Sequence, residues 1–277
     1  MSKDPIPLTP DGVECRDNIV YGTGGGRELH ADLYLPSEPA AAFIPAVVYM
    51  HGGAWRGGDR AQFSRHAVAM ALRDCAGLCI EYRFSDKAPY PAAVEDANCA
   101  VRFMRAFADE LRIDPGRIGI AGGSAGGHLA AMVATTCGSA RLEGTGGHGD
   151  FSSDVQALVG FNPVLDVRGM AQQEAVLDFL GGPPREVGQG VYEDASPILH
   201  VDKHTPPTLL LHGTADSTVP YEQSVRFCEA VRKAGGQAEL FTAEGAEHAF
   251  FNADPWFEPT LERMVEFFLK WLGPAAP

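Results

Sequence analysis

The chain has 277 residues, 45% of them hydrophobic, which suits one large domain with a sizeable core. Its 36 acidic residues outnumber its 22 lysines and arginines, and the formal charge of −14 argues against nucleic acid or an anionic membrane as partner. No run approaches the roughly 20 apolar residues of a membrane span, and residues 1–5 start no apolar stretch, so no secretory signal is expected and a reduced, cytoplasmic setting is. The six cysteines (Cys15, Cys75, Cys79, Cys99, Cys137, Cys228) form no Cys-x-x-Cys pair and no metal-ligand spacing. Cys79, Cys99 and Cys137 lie in apolar patterns and read as small core residues.

In chain order, residues 17–21 and 29–35 read as two strands of an edge hairpin joined by a turn at 22–27. From residue 46 onward strands alternate with helices, the pattern of a parallel sheet with crossover helices. Strands are expected at 46–50, 78–82, 118–121, 157–161, 208–212 and 238–242, and helices at 62–76, 91–112, 125–136, 221–234 and 257–271. The glycine-rich stretch 138–154 reads as a flexible loop. The stretch 167–202, with a short amphipathic run at 173–180, reads as a small cap or lid inserted in a single domain spanning 1–277.

The stretch Ile118-Gly119-Ile120-Ala121-Gly122-Gly123-Ser124-Ala125-Gly126-Gly127-His128 runs from an apolar strand through a Gly-x-Ser-x-Gly turn into a helix of small residues. This is the sequence form of a nucleophile elbow. The turn makes the serine hydroxyl protrude, glycines at its crowded flanks let it close, and the helix that follows points free N–H groups at the reacting centre. The run ending in His51-Gly52-Gly53-Ala54-Trp55 lies 73 residues earlier and again closes an apolar strand with glycines. Gly53, Ala54 and Ala125 are expected to offer amides to an oxyanion, and Trp55 to line the substrate pocket or to pack over the loop.

Asp216 follows a buried strand 92 residues after Ser124, and His248 lies in a loop 32 residues further on. His248 is expected to take the Ser124 proton and Asp216 to orient the imidazole. Asp166, past the strand that ends near Asn162-Pro163, is the rival acid; Glu247 is too close along the chain to present a carboxylate to its neighbour. Of the other histidines, His51 reads as a brace of the glycine loop, His128 as structural, and His212 as a half-buried core residue.

These motifs together resemble the α/β-hydrolase superfamily, and within it the hormone-sensitive-lipase-like and acetyl-esterase group of carboxylesterases. His51-Gly52-Gly53-Ala54 resembles the His-Gly-Gly-Gly oxyanion loop of that group, with Ala54 in place of the third glycine, and the order Ser124, Asp216, His248 is the order of its triad. The similarity extends to Glu81-Tyr82-Arg83-Phe84, to Tyr90-Pro91-Ala92-Ala93-Val94-Glu95-Asp96, to Asp114-Pro115-Gly116-Arg117-Ile118 and to Ser196-Pro197-Ile198. The His-Gly-Gly-Ala-Trp-x-x-Gly-Asp form is also similar to bacterial feruloyl and acetylxylan esterases and to kynurenine formamidases. The sequence before the first strand is short, so a reduced N-terminal cap is expected.

The resemblance implies an α/β fold with a mostly parallel eight-stranded sheet and helices on both faces. It implies a serine carboxylester hydrolase that cleaves short acetyl- or feruloyl-type esters through an acyl-enzyme. No cofactor and no metal are expected; the partner is a small-molecule ester, with a homodimer left open. Two alternatives stand beside it: an arylformamidase or small-peptide hydrolase on the same triad, and a non-catalytic ligand-binding homologue.

Overall fold

Eight strands form one central sheet, and a computed structural model describes it within residues 10–273. The segment 1–5, read above for a secretory signal, lies outside the described residues. β1 (Val13–Gly24) and β2 (Arg27–Pro36) form an antiparallel hairpin. Its turn is tighter than the 22–27 expected: Gly25 and Gly26 alone make it, at φ 59° and 80°. Two successive left-handed residues give a turn whose twist matches the strands.

β3 (Ile44–Met50), α1 (Ser64–Ala71), β4 (Ala76–Ile80), α2 (Ala92–Ala106), α3 (Ala108–Leu111) and β5 (Ile113–Gly123) follow. Next come α4 (Ala125–Thr135), β6 (Ala157–Phe161), α5 (Glu174–Leu180), α6 (Pro184–Val187) and α7 (Gln189–Asp194). The chain ends with β7 (Thr208–Gly213), α8 (Glu222–Lys233), β8 (Ala238–Ala243) and α9 (Phe257–Leu272). The strands lie in the order β1-β2-β4-β3-β5-β6-β7-β8, with β2 antiparallel to both neighbours and the pairs from β4 to β8 parallel.

Period-two alternation sorts the core into two layers. Ala46, Val48 and Met50 of β3 turn to the sheet face that carries α2, α4 and α8; Val47 and Tyr49 turn to the face that carries α1 and α9. Both faces are covered, so the parallel strands are continuous apolar runs rather than alternating ones. The loops that matter for chemistry leave β3, β5, β7 and β8 at their carboxyl ends, where open α/β sheets hold their sites.

Four expectations need correction. The helix expected over 91–112 breaks at Phe107, which leaves the helical region (φ −99°, ψ 18°), and Arg112 at φ 56° turns the chain into β5. The helix expected over 62–76 is α1 after a single 3-10 turn capped by Asp59, and it stops early because Ala76 already belongs to β4. The stretch 138–154 is tied down: Asn98 donates to the Leu142 carbonyl at 2.8 Å, Arg102 to the Gly147 carbonyl at 3.1 Å, and the Thr23 amide to the Gly146 carbonyl at 2.8 Å. Cys137 is exposed just beyond α4 instead of lying in the core. Among the described residues no helix is long and apolar enough to cross a membrane.

Candidate active site

β5 ends at Gly123 and α4 begins at Ala125, so Ser124 alone makes the turn, at φ 53° and ψ −115°. A left-handed serine costs of order 1–3 kcal/mol and persists only where its surroundings hold it. Here the Ser124 amide donates to the Phe161 carbonyl and the Ser124 carbonyl accepts from the His128 amide, each at 2.9 Å. The flanking glycines are required by contact. A Cβ on Gly122 would sit 2.3 Å from the Gly126 carbonyl oxygen, and one on Gly126 would sit 2.2 Å from the Met50 carbonyl oxygen.

The Ser124 hydroxyl is 2.9 Å from Nε2 of His248, and Nδ1 of His248 is 2.7 Å from Oδ2 of Asp216. The three side chains come from the loops after β5, β8 and β7 and meet in one line. Oδ1 of Asp216 accepts from the amides of Thr218 and Val219, both at 2.9 Å. Burial of this carboxyl opposes ionisation, but hydrogen bonds from His212, His248 and the Val219 amide outweigh it and hold the group well below the usual carboxylate range. Asp216 is therefore a fixed anion beside the imidazole.

The rival acid lies elsewhere. Asp166 pairs with Arg168 at 2.9 Å and with Arg226 at 3.4 Å, and those guanidiniums lower its pKa. Glu247 is exposed. His51 braces its own loop: Nδ1 is 2.7 Å from the Gly52 carbonyl, the ring stacks on Tyr82 at 4.5 Å, and the Tyr82 hydroxyl donates to the His51 carbonyl. His128 is buried, with Nε2 donating to the Ala195 carbonyl at 2.8 Å. His212 corrects the sequence reading: it is fully buried, and Nε2 lies 3.2 Å from Oδ2 of Asp216.

Gly53, Ala54 and Trp55 have φ of 121°, 56° and 56°, and the amides of Arg56 and Gly57 both close back on the Gly53 carbonyl. Among the described residues none accepts a hydrogen bond from the amides of Gly53, Ala54 or Ala125. Of the two roles expected for Trp55, pocket lining and packing, the structure shows packing. Trp55 is 2% exposed and stacks on Phe179 of α5 at 4.4 Å, so its ring is inside the protein and not on an open pocket wall.

Sequence reading missed a set of side-chain amides. Gln62 Oε1 accepts from the Gly52 amide at 2.7 Å, Gln62 Nε2 donates to Asn252 Oδ1 at 3.2 Å, and Asn252 Nδ2 donates to the Ala249 carbonyl at 3.0 Å. The Ala249 amide in turn donates to Asn162 Oδ1 at 3.1 Å. The glycine loop and the His248 loop are thus joined by two neutral side chains, Gln62 and Asn252, and Asn162 ties the His248 loop to the end of β6. Only the position of Asn162, directly after an apolar strand, hinted at any of them.

Comparison with known proteins places the chain among esterases. Probable carboxylic ester hydrolase LipM of Mycobacterium tuberculosis is 31% identical over 243 residues, 84% of this chain and 56% of that protein. The chain thus spans a little over half the length of that relative. Thermogutta terrifontis esterase 2 in its propionate-bound structure superposes with a TM-score of 0.80 at 34% identity, covering 99% of this chain and 98% of that one. A bifunctional GH43-CE protein of Bacteroides eggerthii gives a TM-score of 0.83 at 31% identity, over 94% of this chain and 38% of that one. The BD-FAE family matches residues 31–231. On that match, and on the sheet order and strand directions described above, the chain belongs to the BD-FAE family within the α/β-hydrolase fold.

Proposed function

We propose that the protein is a serine carboxylic ester hydrolase acting on short acyl esters through an acyl-enzyme. The observation that carries this is the continuous line from the Ser124 hydroxyl through His248 to ionised Asp216, beside three amides with no acceptor among the described residues. As Oγ of Ser124 bonds to the acyl carbon, Nε2 of His248 takes the hydroxyl proton. The amides of Gly53, Ala54 and Ala125 hold the developing oxyanion, and each such donor is worth roughly 100- to 1000-fold in rate. His248 then passes the proton to the departing alcohol, and water reverses the sequence to release the acid. Asp216 keeps the imidazole in the tautomer with its proton on Nδ1 and stabilises the imidazolium.

Short acyl groups are favoured because esterase 2 of Thermogutta terrifontis has structures with propionate and with butyrate bound. The 167–202 insertion, read as a small cap, holds three short helices and one 3-10 turn, which leaves little surface to enclose a long chain.

Ser124→Ala tests the reading: hydrolysis of p-nitrophenyl butyrate and labelling by a fluorophosphonate should both vanish while the circular dichroism stays that of the wild type. Activity near wild type in this variant would overturn it. Among acyl lengths kcat/KM should peak from acetyl to butyryl. A long channel would instead add about 0.8 kcal/mol for each buried methylene, and a preference for octanoyl esters would refute the short-acyl part. Feruloyl, acetylxylan and formamide substrates in the same panel separate the remaining alternatives.

A further inference from the structure

The 167–202 insertion touches the catalytic loops rather than simply covering them. Trp55 of the glycine loop lies flat on Phe179 of α5, with ring centroids 4.4 Å apart and planes at 14°. His128, one turn into the nucleophile helix, sets its ring edge-on to both, at 5.2 Å from each. All three rings are at most 2% exposed. Next along the chain, Arg56 reaches Glu174 at 3.2 Å and Asp178 at 2.6 Å, two carboxylates one turn apart on α5. At the start of the helix Gln173 Nε2 donates to the Thr218 carbonyl, 3.1 Å away in the loop that bears Asp216. The insertion also receives the His128 Nε2 proton on the Ala195 carbonyl.

These contacts fall where the backbone is under strain. Ala54 and Trp55 are consecutive non-glycine residues in the left-handed region, both at φ 56°. Such residues stay put only when neighbouring structure holds them. The Arg56 ion pairs are solvent-exposed and contribute little individually. The buried ring stack is the stronger hold.

We infer that α5 is a strut for the oxyanion loop: Phe179 positions Trp55, and through it the amides of Gly53 and Ala54, so that the insertion acts on the chemical step. This rests on the esterase reading above. Phe179 and Arg56 are then positioning residues, and their loss is felt in kcat. A lid that encloses the acyl group would be felt in KM and in chain-length preference.

The experiment compares wild type, Phe179→Leu and Arg56→Gln on p-nitrophenyl butyrate, with the Ki of butylboronic acid, which forms a tetrahedral adduct on the serine, as a second readout. Phe179→Leu keeps the core filled but removes the flat face. Its kcat should fall about tenfold, since small misplacements of catalytic groups are costly, with KM within about twofold and boronate affinity falling by the same factor as kcat. Arg56→Gln, on the surface, should lower kcat about threefold in the same pattern. Unchanged kcat in both variants overturns the inference. So does a raised KM with a shifted acyl-length optimum and kcat intact. Should Phe179→Leu fail to fold by circular dichroism, Phe179→Met, which fills the same space without a flat face, takes its place. Absence of hydrolysis in the wild type, or its survival in Ser124→Ala, would instead mark failure of the esterase reading itself.

Discussion

His212 Nε2 lies 3.2 Å from Oδ2 of Asp216, the same oxygen that takes the Nδ1 proton of His248 at 2.7 Å. The same His212 nitrogen is 3.0 Å from the Val219 carbonyl, which only accepts, so Nε2 carries the proton. Nδ1 then accepts from the Ser224 hydroxyl at 2.7 Å. With the two backbone amides on Oδ1, every lone-pair direction of the carboxylate is occupied, which fixes its plane as well as its charge. His212→Phe keeps the ring volume and removes this donor, and it leaves a buried hydroxyl unpaired at a cost of about 1–3 kcal/mol. A roughly tenfold fall in kcat with KM unchanged, and a lower Tm, are expected, because a catalytic group out of place slows the chemical step. Equal kcat in variant and wild type would reduce His212 to a core residue.

Asp216→Asn should lower kcat by about 10⁴-fold, as loss of the triad acid does in serine proteases, because the amide favours the wrong imidazole tautomer. Asp166→Asn should leave kcat within about twofold, since its partners are Arg168 and Arg226 and not His248. Steady-state kinetics on both variants decide the assignment. A larger loss in the Asp166 variant would transfer the acid's role to it.

The amide chain between the two loops makes a coupled prediction. Gln62→Glu keeps an acceptor for the Gly52 amide but sets a carboxylate against Asn252 Oδ1, which it cannot serve as donor. Gln62→Glu and Asn252→Ala should each lower kcat by roughly tenfold, and the double variant should lose much less than the product of the two. A double-mutant cycle on kcat measures this. Strictly multiplicative losses would mean that the two loops are held independently.

Acid should unfold the protein through its buried histidines. His66 is fully buried among Phe63, Phe161, Phe251 and Phe257, with neither ring nitrogen partnered among the described residues. Burial, with a smaller contribution from Arg65, pushes its pKa down to about 3, and burial lowers that of His128 to about 4 despite the bond to Ala195. Unfolded histidines bind a proton near ~6.5. Between that value and the folded ones the unfolded chain holds more protons, so stability is full above ~6.5 and is lost as pH falls toward 4. The slope is about 1.4 kcal/mol per pH unit for each histidine. Thermal melts from pH 7 to 4.5 should show Tm falling, with a shallower fall in His66→Phe. Identical slopes in the two proteins would refute the assignment.

Within the sequence alone, the elbow around Ser124, the glycine loop at Gly52 and Gly53, the hairpin and the alternation of strands and helices were legible, because each is set by a few adjacent residues. A tight turn needs glycine where a Cβ would strike a carbonyl, and a buried parallel strand needs an unbroken apolar run. Chain order already favoured Asp216 over Asp166, which also follows a buried strand; strand order and loop direction then bring Asp216 within 2.7 Å of His248. Tertiary structure alone decided the rest. It set His212 on the acid and sealed Trp55 against Phe179. It also made the bond between Gln62 and Asn252, 190 residues apart. Periodicity and turn chemistry describe neighbours in the chain, whereas these contacts arise only when separate loops converge at the carboxyl edge of one sheet.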